Sequence, residues 1–355
     1  MQNQAEKQVQ HCVDSVDRGI EPVDCLVDFL KEQHTINDQQ SRAAIIRMRG
    51  WILYAFSRHG IPENALPFIL EELESGIDPY TIAAAAKALK KAERQHWLMP
   101  YLHKALKNVQ YRDDIVCFSK YGAYSTDINE STARDEIERT LAYFEKRQGQ
   151  TTEVETLERV HCCDNGNTPV DIEAVGKTVE KSCCIQHNSD RLVGSGGEIS
   201  ACRLEDHQGR ITTFEAFFSN APTILVFFYT RCENPHKCPQ TMAKLSQLQK
   251  AIGEQTIQTA AISYDPKYDN PQRLLAYAQS FGLQTTEQHR LFRTLDSFEL
   301  VQQYLDLGVG RTGSVVNRHQ IEAFVLDARG NVVLAAQRLQ WSTQELLSTA
   351  LSLLE

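Results

Sequence analysis

Residues 224–239 read ILVFFYTRCENPHKCP, an apolar run followed by a short polar stretch with a cysteine at each end. The run at 224–230 is rich in β-branched and aromatic residues, which is typical of a buried strand. Residues 239–251 begin with proline and continue with helix-forming residues, which indicates a helix. The stretch therefore predicts a strand, a loop that carries two thiols, and a helix.

The loop carries Cys232 and Cys238, and its position predicts reactive thiols. Thioredoxin-type folds do their chemistry at such a strand-to-helix turn. Pro239 suits the first helical position, so Cys238 is the expected N-cap, where free N–H groups and the positive helix end favour a thiolate. A thiolate there is a nucleophile or a soft-metal ligand. The alternative is a structural pair without chemistry, although such cysteines usually lie inside helices or strands.

A third donor is expected from His319, which precedes an apolar strand at 321–327. The turn Ala-Arg-Gly-Asn and a second apolar run at 332–334 follow, and together they predict a β-hairpin. Two cysteines and one imidazole select Cu(I) or Zn(II), and this set resembles a trigonal copper site more than a closed four-ligand zinc site. The alternative is a structural histidine near a sheet edge.

Five separated segments together resemble the Sco/SenC copper proteins, from about residue 198 to 354. They are an opening hairpin at 201–211, FFYTRC at 227–232, Cys238-Pro239, ISYDP at 262–266 with Asp269 and Pro271, and His319. The resemblance implies a thioredoxin-like fold that holds one copper through two cysteines and a distant histidine. It also implies delivery of copper to, or reduction of thiols at, the copper centre of cytochrome oxidase. The residues of this sequence that match the family's copper ligands are Cys232, Cys238 and His319.

The loop departs from the family, which usually has three residues between the cysteines, whereas this chain has five. The added closure entropy is only tenths of a kcal/mol, so convergence on one metal is still expected. His236 inside the loop is a candidate fourth ligand, and a reversible disulfide between Cys232 and Cys238 stays open. Asp265 of the Asp-Pro motif is expected either to orient a ligand or to cap the following helix.

Composition narrows the possible partners and compartments. The chain has 355 residues, a formal net charge of −9 and a pI near 5.7, and these values argue against nucleic acid and anionic membranes as partners. No basic start followed by an apolar stretch and no run of 18 apolar residues occurs, so we expect a cytoplasmic protein without a membrane span. The family's members are typically membrane-tethered and face an oxidising compartment, so a periplasmic location rests on analogy alone. Ten cysteines without an export signal favour free thiols or metal ligands.

The first 149 residues differ from the rest because helix signals dominate. Residues 65–73 and 98–106 are similar and 33 positions apart, and each is followed by a polar turn and a further expected helix, at 81–92 and at 114–120. With expected helices at 25–31 and 42–57, the segment resembles a short HEAT-type α-solenoid. Such an array predicts a surface that docks a protein partner, and the alternative is a cap on the other domain. The predicted fold is an α-helical repeat domain at 1–149 followed by an α/β thioredoxin-like domain at 198–355.

The intervening segment at 150–197 concentrates soft donors. Within 27 residues it contains His161, Cys162, Cys163, Cys183, Cys184 and His187. One cysteine of each pair with the two histidines would make a tetrahedral set for zinc or copper, although the spacing is not that of a standard zinc finger. Disulfides between the pairs, or a thiol-bearing tether that passes metal or electrons to Cys232 and Cys238, are the alternatives.

Two functions follow from these patterns. The first is a copper-binding protein that carries Cu(I) or Cu(II), acts as a chaperone and exchanges metal with a donor or acceptor protein. The second is a thiol-disulfide oxidoreductase in which one of Cys232 and Cys238 attacks a disulfide and the other resolves it, with the paired cysteines as a relay.

Overall fold

The computed structural model describes residues 3–92, 96–118, 130–159, 185–186, 196–296 and 298–354. The cluster predicted from His161 to His187, with Cys162, Cys163, Cys183 and Cys184, lies outside these residues. In the described ranges no helix is both long and apolar enough to span a membrane.

The N-terminal part is helical and has its own apolar core. Its helices and one small two-stranded sheet are α1 (Gln4–Asp17), α2 (Arg42–His59), α3 (Leu66–Ser75), α4 (Pro79–Ala88), α5 (Met99–Asn108), β1 (Ile115–Cys117), β2 (Glu130–Thr132) and α6 (Ala133–Arg159). Helix α2 lies in the middle of this core, where Ile52, Leu53 and Phe56 are fully buried.

Local signals explain where the central helices begin and end. The Ser41 hydroxyl accepts a hydrogen bond from the Ala44 amide at 3.2 Å and starts α2. Gly60 ends that helix at a positive φ of 104°, which glycine adopts without a Cβ penalty. The Asp78 carboxylate caps α4 by accepting from the Tyr80 amide at 2.9 Å.

The expected repeat is only partly present. The first copy forms the helix pair α3 and α4, and the second copy begins with α5. Residues 114–120 were expected to be helical, but Ile115–Cys117 is a strand that pairs with β2. Residues 25–31 form short 3-10 turns instead of an α-helix. A HEAT-type array is therefore not confirmed, because β-branched Ile115 and Val116 pair in a sheet where the repeat needs a second helix.

The C-terminal part is a thioredoxin-like fold around a mixed sheet. Its eight strands are β3 (Ile185–Gln186), β4 (Arg203–Asp206), β5 (Ile211–Thr213), β6 (Thr223–Phe228), β7 (Gln258–Ser263), β8 (His289–Thr294), β11 (Glu322–Leu326) and β12 (Val332–Gln337). Their spatial order is β3-β12-β11-β6-β7-β8-β4-β5. Strands β6, β7 and β8 are parallel, and the remaining pairs are antiparallel. The predicted hairpins β4–β5 and β11–β12 are confirmed.

Helices cover both faces of this sheet, and a separate hairpin lies beside it. The helices are α7 (Gly196–Ser200), α8 (Phe214–Phe218), α9 (Cys238–Ile252), α10 (Pro271–Ser280), α11 (Phe298–Leu305) and α12 (Thr343–Leu351). The hairpin consists of β9 (Val309–Thr312) and β10 (Val315–His319), which pair antiparallel. Ile224 and Val226 of β6 face the core beneath α9, whereas Leu225 and Phe227 face the opposite core. Burial on both faces explains why this strand has no polar alternation.

The two parts of the chain pack directly against each other. Leu339, which follows β12, is buried in the core of the helical part. The Arg338 guanidinium lies 3.8 Å from the centre of the Phe68 ring. These contacts place the helical part beside the carboxyl end of β6, which is where the predicted metal ligands lie.

Candidate metal centre

Cys232 and Cys238 lie on the loop that follows β6 and on the first residue of α9. The helix begins at Cys238, with Pro239 in its first turn and Lys237 at the N-cap. The prediction that Cys238 is the N-cap is therefore wrong by one residue. The Lys237 side chain makes no capping bond because an ammonium group cannot accept a hydrogen bond from a helix amide. It donates instead to Glu71 and to the His319 carbonyl.

His319 reaches the two thiols from a different part of the fold. It ends β10, and the pairing of that strand with β9 is interrupted by a bulge between Val316 and Arg318. Gln320 then connects the hairpin to β11 of the main sheet, and its amide donates to the Gly308 carbonyl at 2.8 Å. This path brings the histidine to the end of β6 from more than 80 residues away in the chain.

The three predicted donors converge. The His319 Nε2 atom lies 3.4 Å from the Cys232 Sγ atom and 3.6 Å from the Cys238 Sγ atom. All three donor atoms lie within 4.8 Å of one another. Cys238 and His319 are buried, whereas Cys232 is partly exposed. Three soft donors in this arrangement fit Cu(I), which thiolates and imidazole both bind.

The imidazole is held in one tautomer. Its Nδ1 atom lies 2.5 Å from the Gln320 carbonyl oxygen, which only accepts hydrogen bonds, so Nδ1 carries the proton. The Nε2 atom is then free to bind a metal. The rings of Tyr229 and Tyr264 lie 5.3 Å and 5.1 Å from the imidazole centre and restrict its orientation.

The surroundings of the two thiols shift their pKa values in opposite directions. The Cys238 thiol donates a hydrogen bond that lowers the pKa of Cys232, and His319 lowers it further, although burial opposes both. Burial raises the pKa of Cys238 well above its usual value, and the neighbouring Cys232 raises it more. We had expected the thiolate at Cys238 because of the helix end. The structure favours it at Cys232, because Cys238 is deeply buried and acts as the hydrogen-bond donor.

Asp265 has neither of its two expected roles. Its carboxylate is buried and pairs with Arg231, the residue before Cys232, so it contacts neither a ligand nor a helix terminus. Asn270 caps α10 instead. The motif residue Asp269 holds the start of the loop, because its carboxylate accepts from the Thr230 amide at 3.1 Å and from the Thr230 hydroxyl at 2.5 Å.

His236, the candidate fourth ligand, is not part of the group. Its backbone carbonyl accepts from the Gln340 side chain at 2.7 Å, and burial and the nearby Lys104 lower the pKa of its imidazole. The loop therefore directs this residue toward the helical part. Within the described residues, the group that could hold a metal consists of Cys232, Cys238 and His319.

The partly exposed Cys232 lines a cavity between the two parts of the chain. The cavity has a volume of about 570 Å³. Arg42, Ile45 and Ile77 line it from the helical part, and Cys232 and Val316 line it from the other side. Cys232 is therefore accessible from this cavity.

A buried set of charges, which we call the interface cluster, lies beside the ligands and was not predicted from the sequence. It contains three carboxylates and four cations, all buried except the partly exposed Arg318: Glu32, Glu71, Glu72, Arg49, Lys237, Arg318 and Arg338. Burial opposes ionisation of Glu71, but Lys237, Arg318 and Arg338 together hold its pKa well below the usual range. Three of its members, Arg49, Glu71 and Glu72, lie on helices α2 and α3, whereas Glu32, Lys237 and Arg338 lie in turns and loops, so no local sequence pattern marks the cluster.

Comparisons with known proteins bear on the C-terminal part. Residues 198–355 match the model of the SCO1/SenC family, which confirms the predicted Sco/SenC resemblance of this part. None of the curated proteins matches the chain.

Solved structures of similar proteins cover the same part of the chain. A SCO1/SenC family lipoprotein from Bacillus anthracis is 20% identical, with 43% of this chain and 92% of that chain covered and a TM-score of 0.38. Copper-bound ScoI from Arabidopsis thaliana is 20% identical, with 43% and 95% covered and a TM-score of 0.36. A putative electron transfer protein from Aquifex aeolicus is 16% identical, with 42% and 88% covered and a TM-score of 0.38.

Proposed function

We propose that the C-terminal domain binds one copper ion as cargo through Cys232, Cys238 and His319 and exchanges it with a protein partner. The carrying observation is the convergence of two thiols and a correctly protonated imidazole within 4.8 Å. Thiolates favour Cu(I), and an imidazole nitrogen adds affinity for Cu(II). The copper-bound state of ScoI from Arabidopsis thaliana agrees with this cargo.

The chain's own residues prepare the site for such an ion. Gln320 keeps the proton on the Nδ1 atom of His319. Cys232 is the thiol that ionises first and the one that faces the interdomain cavity. Cargo therefore enters at Cys232, while Cys238 and His319 hold it from the buried side.

Copper analysis of the full chain tests this function. The chain purified under reducing conditions is expected to bind one Cu(I) per molecule in competition with a chromophoric chelator. A Cys232→Ser and Cys238→Ser double variant is expected to lose that tight binding, whereas Cys202→Ser, at a buried cysteine outside the group, keeps it. Unchanged stoichiometry in the double variant rules out this site.

A second function, thiol-disulfide exchange, is favoured by the unequal thiols. Cys232 attacks a disulfide of the partner, one sulfur of that disulfide leaves as a thiolate, and Cys238 then attacks the mixed disulfide and releases the reduced partner. Exchange needs no imidazole ligand. Exchange rates that stay unchanged in His319→Ala, together with an absence of tight copper binding, would favour this function over metal transport.

The segment from His161 to His187 is proposed as a second site or a relay for either function. Residues 185–186, which follow Cys184 directly, form the edge strand β3 beside β12 of the same sheet. Trapping by mild oxidation and peptide mapping tests the relay, which predicts mixed disulfides such as Cys184 with Cys238. If disulfides are found only between the pairs Cys162/Cys163 and Cys183/Cys184, they are structural crosslinks and the segment is not a relay. Zinc found by metal analysis, and lost when these four cysteines are replaced, would support a separate metal site.

Partner docking on the helical domain and a cytoplasmic location stay predictions. The helical domain packs beside the ligands, so a partner that reaches Cys232 meets both domains. Crosslinking of the copper-loaded chain to a copper-accepting protein, mapped by mass spectrometry, tests whether residues of α2 and α4 take part.

A further inference from the structure

Each of the three ligands is preceded in the chain by a basic residue that is paired with an acid. Arg231 precedes Cys232 and pairs with Asp265. Lys237 precedes Cys238 and lies 2.7 Å from Glu71. Arg318 precedes His319 and lies 2.8 Å from Glu72 and 3.3 Å from Glu71. For Cys238 and His319, the acids belong to the helical domain.

Lys237 joins the segments of two ligands. Its ammonium group donates to the Glu71 carboxylate and, at 2.5 Å, to the backbone carbonyl of His319. The side chain is 8% exposed, so water does not replace these partners without a rearrangement. The position of the His319 carbonyl relative to Cys238 therefore depends on Lys237, and Lys237 depends on a carboxylate of the helical domain.

The hairpin that carries His319 is also held by the helical domain. The Thr312 hydroxyl donates to the Gln40 carbonyl at 2.5 Å, and the Gly313 amide donates to the Gln39 side chain at 2.9 Å. A Cβ atom on Gly310 would lie 2.9 Å from the Glu32 carbonyl oxygen, which shows how closely the two backbones approach.

We propose that Glu71 of the helical domain is a positioning residue of the metal centre and acts through Lys237 on Cys238 and His319. The helical domain is then a structural part of the centre and couples domain docking to copper binding. This inference rests on the proposed copper function. It adds that tight copper binding requires the helical domain as well as the three ligands of the C-terminal domain.

Lys237→Met is the first test because it keeps the interface cluster balanced, with three carboxylates and three cations. Removal of a cation would by itself tighten the binding of a copper cation, so weaker binding reports lost positioning. We expect the affinity for Cu(I) to fall by about 10- to 100-fold, the usual cost of losing a residue that orients a ligand. Affinity equal to or above that of the parent chain overturns the proposal.

Glu71→Gln extends the test to the helical domain. If Glu71 acts through Lys237, Glu71→Gln lowers copper affinity in the parent chain and has little further effect in the Lys237→Met background. Additive losses overturn the proposal, because they show that Glu71 acts by another route. If Glu71→Gln does not fold, Glu71→Asp replaces it, because it keeps the charge and shortens the side chain that reaches Lys237. Unchanged copper affinity in Glu71→Asp overturns the proposal.

Glu74→Gln is the matched control. Glu74 also crosses the interface, where it accepts from the Gln340 amide at 2.7 Å, but it has no contact with Lys237 or His319. We expect unchanged affinity and an unchanged thiolate-to-Cu(II) absorption band in this variant, and a shifted band in Lys237→Met. Equal effects of the control and the test variants overturn the proposal. Absence of copper binding in the parent chain would instead contradict the proposed function itself.

Discussion

His319 is the residue on which the choice between copper transport and plain thiol chemistry depends. The Gln320 carbonyl holds the proton on Nδ1, and both thiols lie within 3.6 Å of Nε2. No such imidazole is needed for thiol exchange, whereas a soft three-donor site uses it directly. Its geometry therefore favours copper as the cargo.

His319→Ala is expected to weaken Cu(II) binding more than Cu(I) binding. The thiolates dominate affinity for the softer ion, and the imidazole contributes more for the harder one. For Cu(II) the loss should exceed the roughly 10- to 100-fold that removal of an orienting residue costs, because a direct ligand is removed. Competition titrations in both oxidation states measure it, and His236→Ala serves as the control. Equal losses for both ions would contradict the role of the imidazole.

The loop between the two cysteines is the element in which this chain departs most from the family pattern. Residues of this loop contact the helical domain. The Asn234 side chain donates to the Ser75 carbonyl at 2.8 Å, and Glu233 pairs with Arg42 at 3.0 Å. The loop therefore contributes to the interface between the two domains.

Asn234→Ala is expected to lower the free energy of unfolding by about 1–2 kcal/mol, because it removes two hydrogen bonds, one to Ser75 and one from the His236 amide. Glu233→Gln is the control at the neighbouring position. Its ion pair is exposed, so we expect a change within about 0.5 kcal/mol. Urea denaturation of both variants measures the difference. Equal stability of Asn234→Ala and the parent chain would show that the loop does not stabilise the interface.

Sequence reasoning worked at the element scale wherever a signal was local. The strand β6 and the β11–β12 hairpin were predicted because apolar runs and turn residues are visible in short stretches. Donor type singled out Cys232, Cys238 and His319, which the fold brings together. The expected helix at 114–120 was wrong because β2, with which these residues pair, begins at Glu130, outside the window that reveals helical periodicity. The helix end predicts a thiolate at Cys238, whereas burial raises the pKa of that thiol, and burial depends on tertiary packing.

The whole molecule is organised around the contact between the helical domain and the face that carries Cys232, Cys238 and His319. No local pattern reveals the interface cluster, because Glu32 and Arg338 lie 306 positions apart in the chain. The cluster joins both domains through buried carboxylates. Removal of one partner leaves an unpaired buried charge, so single substitutions in the cluster are expected to destabilise the interface.

The interface cluster predicts loss of stability in acid. Burial opposes ionisation of Glu32, but Arg338 and Arg318 lower its pKa from 4.5 to about 2. A depressed carboxylate pKa contributes stability that is present above the unfolded value and lost as the pH falls through the folded value. The contribution of Glu32 should therefore disappear between about pH 4.5 and about pH 2. Chemical denaturation across this range measures it, and Glu32→Gln should show a shallower dependence. An equal pH dependence of the free energy of unfolding in the parent chain and in Glu32→Gln would contradict this role of Glu32.

The most direct test of the metal centre is X-ray absorption spectroscopy of the full chain loaded with one equivalent of Cu(I). Three-coordinate copper with two sulfur ligands and one imidazole nitrogen is expected, since Cys232, Cys238 and His319 supply these donors. The Lys237→Met variant should keep both sulfurs and lose or lengthen the nitrogen contact. Copper bound by sulfur alone, or a spectrum that is unchanged when Cys232 and Cys238 are replaced, would contradict the account.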